Sequence, residues 1–195
     1  MDNRIQHLRD QLQKARSALL DEFEQRREQF RYSVSGRKIV FSADIRKSHR
    51  AARESLVSFL SRTRFLVVLT APVIYSLIIP FLILDLFVTI YQAVCFPVYG
   101  IPKVRRTDYI AIDRHKLQYL NGLQKLNCVY CGYGNGLISF AREIAGRTEA
   151  YWCPIKHARR LEDQHDHYAG FCDFGDAAEY QARVEDQRRA LAEKG

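Results

Sequence analysis

The chain has 195 residues, with 30 Lys and Arg against 22 Asp and Glu and a formal net charge of +8. That length has room for one modest domain, a membrane segment and a helical extension. The charge does not mark a nucleic-acid binder: residues 1–64 hold 15 basic and 8 acidic groups, hence +7, ahead of a long apolar run, and no nucleic-acid module signature is present. No signal-peptide pattern precedes that run, so it is expected to remain as an internal anchor.

In chain order, residues 3–31 read as a helix with Ile5, Leu8, Leu12, Ala15 and Leu19 at alternating spacings of three and four. About two heptads are covered. The stripe suits either an amphipathic helix packed on its own protein or self-association and coiled-coil pairing with a membrane partner. Residues 32–42 read as two short strands around Gly36. Residues 43–64 read as a second helix, its apolar Ile45, Leu56, Phe59 and Leu60 ringed by Arg46, Arg50, Arg53 and Arg62. Such a helix lies on a bilayer with anionic headgroups or, alternatively, is simply solvated.

Residues 65–102 carry a single charge, Asp85, and should be in a bilayer. As one helix, residues 65–98 would be about 51 Å long against about 30 Å of hydrocarbon. Pro72, Pro80 and Pro97 interrupt the run. Six Lys and Arg in the twenty residues before it and five in the twenty after are near-equal flanks. That balance puts both ends on the cytoplasmic side of an inner membrane, as a hairpin turning near Pro80; the alternative is one kinked span. Asp85 is either functional, as an intramembrane carboxylate, or tolerated near the hairpin tip.

Beyond the run, residues 107–126 read as a helix carrying Leu117, Leu120, Leu123 and Leu126. Residues 137–146 read as another, stopped by Gly146, and residues 175–193 as a polar terminal helix. Of five cysteines, Cys128 and Cys131 enclose two residues, and Cys153 precedes His157 by four. A tight turn would aim the first two sulfurs at one ion, and a helix starting near Pro154 would put Cys153 and His157 on one face. Cys128, Cys131, Cys153 and His157 then close a Cys3His tetrahedron around zinc, with iron as the alternative. The other readings are buried thiols and a redox dithiol at Cys128 and Cys131. The stretch with Glu162, Asp163, His165, Asp166 and His167 reads as solvated, although His165 or His167 could replace His157. Tyr130, Tyr133, Tyr151 and Trp152 read as hydrophobic cover.

The turn Cys128-Val129-Tyr130-Cys131-Gly132-Tyr133 resembles a rubredoxin or zinc-ribbon knuckle, and a knuckle followed by the Cys153/His157 pair resembles treble-clef zinc fingers. The resemblance implies a structural metal; Cys153-Pro154-Ile155-Lys156-His157 departs from the second rubredoxin knuckle, which favours zinc. Residues 127–158 also resemble bacterial membrane proteins of unassigned activity.

The sequence therefore predicts a mostly helical, membrane-attached protein with a hydrophobic hairpin or single kinked span and a small Cys3His metal domain. Its parts are a helical region over 1–64, a membrane segment over 65–102, a metal domain over 103–174 and a terminal helix over 175–195. No catalytic constellation stands out. The expected function is a zinc-binding scaffold at the membrane surface, within a larger complex. The alternatives are an iron-bearing oxidoreductase or electron-transfer component and a lipid-handling enzyme using Asp85.

Overall fold

The computed structural model describes residues 2–29, 32–35 and 38–193. The chain is mostly helical and divides into two compact units: residues up to Leu60 with His115–Lys125, and Ser61–Arg114 with residues from Leu126 onward.

The first unit contains helix α1 (Asp2–Gln29), strands β1 (Tyr32–Ser35) and β2 (Lys38–Phe41), helix α2 (Ala43–Ala51) and most of α3 (Leu56–Arg62). The strands pair antiparallel, Tyr32 opposite Phe41 and Ser35 opposite Lys38; Gly36, expected at the turn, lies outside the described residues. The single helix expected over 43–64 is two, because the Ser55 hydroxyl accepts the Ser58 N–H at 3.1 Å and starts a new helix there. The His49 ring sits edge-on to Phe41 and Tyr119, and the Arg50 guanidinium donates to Gln118. Along α1, Leu8, Leu12 and Leu19 are exposed, Leu12 by 71%.

In the second unit, α4 (Phe65–Ser76) and α5 (Ile78–Tyr99) follow one another through Leu77, which keeps helical angles (φ −62°, ψ −12°). No reversal occurs at Pro80, which corrects the hairpin. Pro80 is the third residue of α5, where its missing N–H costs little, and the Phe81 N–H bridges back to the Leu77 carbonyl. Phe65–Tyr99 is thus one rod of 35 residues with a mean hydropathy of 2.5 over its most apolar stretch, long and apolar enough to cross a membrane. Gly100 ends it in the left-handed region (φ 69°). The Ile101 N–H then reaches back to the Phe96 carbonyl, as a glycine-terminated helix end does.

The next twenty residues are a return strap rather than the helix expected over 107–126. It contains two short 3-10 turns, Arg106–Asp108 and Arg114–Lys116. Helix α6 (Gly122–Trp152) starts behind a reciprocal cap, the Asn121 side chain accepting the Gln124 N–H and the Gln124 side chain accepting the Asn121 N–H, both at 2.9 Å. It runs parallel to α5: the Tyr130 hydroxyl donates to the Ile74 carbonyl, and Tyr99 stacks on Tyr151 at 5.0 Å. Parallel neighbours need the chain to travel back between them, and the strap does this along α6. Arg147 holds the Pro102 carbonyl at 2.7 Å, and Ile110 lies against Gly136.

Gly146 does not stop α6, and Cys128–Cys131 do not break it; the helix continues for 31 residues. Its glycines are contact points. A Cβ on Gly134 would meet the Phe81 ring at 2.9 Å, and one on Gly136 would meet the Ile110 Cα and the Tyr109 carbonyl at 2.8 Å. Leu137, Phe140 and Ile144 of α6 share one core with Phe96, Ile101, Val104, Tyr168, Phe171 and Leu191, the last on terminal helix α7 (Tyr180–Ala192). Residues 103–114 and 126–174 thus belong to the second unit together with the rod, and residues 115–125 to the first.

Because the two atoms nearest Gly136 are backbone, Gly136→Ala is expected to destabilise the protein by about 1–3 kcal/mol despite alanine's better helix propensity. Denaturant unfolding in mild detergent would measure this; an unchanged or raised midpoint would contradict the packing.

Candidate functional site

Three polar features collect along α6. The first answers Asp85. Arg106, on the strap, forks onto its carboxylate, with Nη2 donating to Oδ2 at 2.6 Å and Nη1 donating to Oδ1. The Tyr133 hydroxyl donates to Oδ2 at 2.7 Å, and Thr89, one turn along α5, reaches Oδ1. The Arg106 guanidinium also lies 5.9 Å over the Phe140 ring. A bidentate arginine and a tyrosine leave this carboxylate saturated. With Thr89, these donors tie the carboxylate to the strap and to α6.

The second feature is a pair of carboxylate–imidazole contacts. His165 Nε2 lies 2.8 Å from Glu149 and His167 Nε2 lies 3.2 Å from Glu143, with the two imidazole rings 5.8 Å apart. Arg147 donates to Glu143 from one turn away, at 2.7 Å. Gly146 makes room for His165, whose ring would lie 3.0 Å from a Cβ there. Burial alone would push the Glu143 carboxyl up, but the hydrogen bonds from His167 and Arg147 outweigh it and hold it at about 2. The segment expected to be solvated is thus docked on α6. Of its named residues, Glu162, Asp163 and Asp166 are exposed, Asp163 pairing with Arg142 at 2.9 Å, and the two histidines do the docking.

The third feature is a groove of about 500 Å³ between α5 and α6. Val88 and Tyr91 form one wall and Ala141, Ala145 and Trp152 the other, with Glu149 and Cys153 at one end. The Thr148 hydroxyl donates to the Ile144 carbonyl and so accepts from Tyr91, which leaves both internally satisfied.

The cysteines are elsewhere and apart. Cys128 and Cys131 stand one turn apart within α6, whereas Cys153 follows its last residue. Cys153 is twenty-two positions after Cys131 along a helix that ends at Trp152, a rise of about 33 Å, so the structure does not bring Cys153 to the Cys128–Cys131 turn of the helix. The expected helix from Pro154 is a short extended bridge instead, with Ile155 paired to Cys172 and the His157 N–H held by the Tyr168 hydroxyl at 2.6 Å. Among the described residues, no group of three or more His, Cys, Asp and Glu side chains is arranged to hold a metal. Tyr130 and Tyr133, expected to cover a metal domain, instead bind the apolar rod through Ile74 and Asp85.

No family model, curated protein or solved structure matches the chain.

The Glu143 contacts give a pH dependence whose sign is fixed. A carboxyl held at about 2, below its ordinary 4.5, contributes stability that is complete above pH 4.5 and is lost as pH falls toward 2. Protease resistance of the 160s segment in the wild type should therefore drop between pH 4.5 and 2. Glu143→Gln should start lower and fall less over that window; parallel curves would remove Glu143 as the cause.

Proposed function

We propose that the protein is a membrane-anchored interaction protein, held by the α4–α5 rod and offering α1 to a partner or to a second copy. The observation that carries this is the rod itself. Of its 35 residues, those from Phe65 to Leu69 are exposed on every side, and on α5 Leu82, Ile83, Leu86, Phe87, Ile90, Val94 and Val98 remain exposed although α6 covers the opposite face. A bare apolar surface this long needs hydrocarbon around it.

The rod is about 52 Å long, more than about 30 Å of hydrocarbon takes up even at 40° of tilt. Part of it must leave the bilayer, and charge selects which part. The twenty residues Phe65–Leu84 are about 30 Å long and uncharged. Immediately after them come Asp85 with Arg106 and, farther along α6, Arg142, Glu143 and Arg147. Each such charge at the bilayer centre would cost about 2.5–3.5 kcal/mol on insertion scales. We therefore set the end of the immersed stretch at Asp85, with the second half of α5 serving as the core helix of the domain outside. Arg62 and Arg64 flank the other end. On α1, exposed Leu8, Leu12 and Leu19 form the stripe a partner helix would cover. A saturated Asp85 and the separation of Cys131 from Cys153 favour this reading over the enzyme and electron-transfer alternatives.

In native membranes, the full chain should remain in the pellet after alkaline carbonate extraction, and oxidation of a Leu12→Cys variant should yield disulfide-linked dimers if the partner is a second copy. Release into the supernatant would overturn the anchor. Stable membrane association with no dimer would assign the α1 face to another protein.

A further inference from the structure

The groove between α5 and α6 goes beyond an anchoring role. It runs along α6 from Ala141 to Cys153, twelve residues or about 18 Å. Its volume of about 500 Å³ spread over that length makes an open groove with a mean cross-section of about 28 Å². A helix from a second copy is 10–12 Å across with its side chains and does not fit. An extended alkyl chain, whose carbons pack about 4 Å from their neighbours, does. The walls agree: Val88, Ala141, Ala145 and Trp152 offer carbon, and the Tyr91–Thr148 pair is already satisfied. The small side chains of Ala141 and Ala145 are what leave the space open.

The two ends differ. The Val88–Ala141 end points back along α5 toward Asp85 and the bare apolar surface of the rod. The far end carries Glu149, with one carboxylate oxygen occupied by His165 at 2.8 Å and the other left for a ligand. Packing against Gly146 fixes the imidazole, so the carboxylate is held in place. A carboxylate at the end of a narrow apolar groove repels anionic heads and accepts from a hydroxyl or ammonium. The geometry points to a single-chain site for a membrane amphiphile with a hydrogen-bond-donating, uncharged or cationic head, the head at Glu149 and the tail directed toward the bilayer.

The test uses the full chain in phosphatidylcholine vesicles with a long-chain amine carrying a photoactivatable diazirine in its tail. The matched long-chain carboxylic acid serves as control, and cross-links are mapped by peptide mass. Labelling of α4 reports bulk lipid and normalises the result. Normalised labelling of residues 141–153 should be about tenfold higher for the amine than for the acid, the worth of one charge-assisted hydrogen bond. Ala145→Phe, at an exposed position that does not threaten folding, should abolish groove labelling by both probes. Glu149→Gln should remove the preference for the amine. Uniform labelling along α4–α5 with none at residues 141–153, or groove labelling unchanged by Ala145→Phe, would overturn the site. An amine preference that survives Glu149→Gln would overturn the assignment of the head. Carbonate extraction of the same vesicles tests the anchor separately, so failure of one is not failure of the other.

Discussion

A carboxylate midway along an apolar rod needs a cation, and here the cation comes from a residue twenty-one positions later. Arg106 reaches Asp85 only because the chain turns at Gly100 and runs back along α6. That return brings α6 alongside α5 in parallel, supplies Tyr133 as a second donor and sets Phe140 beneath the guanidinium. Removing Arg106 would leave the half-shielded Asp85 carboxylate without its main partner at the edge of an apolar rod. The pair therefore fixes register: a slip of α6 by one turn would take Tyr133 off Asp85 and the α6 glycines off Phe81 and Ile110.

Much of the architecture was legible in the sequence, where local signals are strong. The apolar run, the basic flanks, the polar helix over residues 3–31 and the strand pair follow from composition and period, and the structure has elements at each place. The failures cluster at residues whose roles are tertiary. Gly146 reads as a helix stop, yet it and Gly132, Gly134 and Gly136 lie within one helix, each removing a side chain where another element makes close contact. The cost of glycine in a helix, about 1 kcal/mol each, is offset by packing that no local rule sees. Cys128 and Cys131 read as a metal knuckle because their spacing suits a turn; the same spacing also puts two residues nearly one helical turn apart. Residues 107–126 read as a helix from their leucines, but Tyr109, closing a 3-10 turn, and Ile110 after it pack their backbone against Gly136.

The candidate site was the least legible part. His165 and His167 lie in a stretch dense with charge and read as solvated. What partners them, Glu149 and Glu143, lies on a helix expected to end before Glu149. A continuous α6 would have put the two glutamates six residues apart, and only the fold shows that both meet histidines from one loop. The same helix places two small alanines beside α5 and so opens the groove.

The division of the rod at Asp85 is the claim on which the anchor, the outer half-helix and the direction of the groove all rest. Spin labels placed singly at the exposed positions Val67, Val73, Leu82, Phe87, Val94 and Val98, in vesicles, would test it by comparing collision with oxygen, which partitions into hydrocarbon, and with a water-soluble nickel chelate. Oxygen should dominate at Val67, Val73 and Leu82, and the chelate should take over from Phe87 through Val98. Oxygen dominance continuing to Val98, or chelate access at Val73, would contradict it.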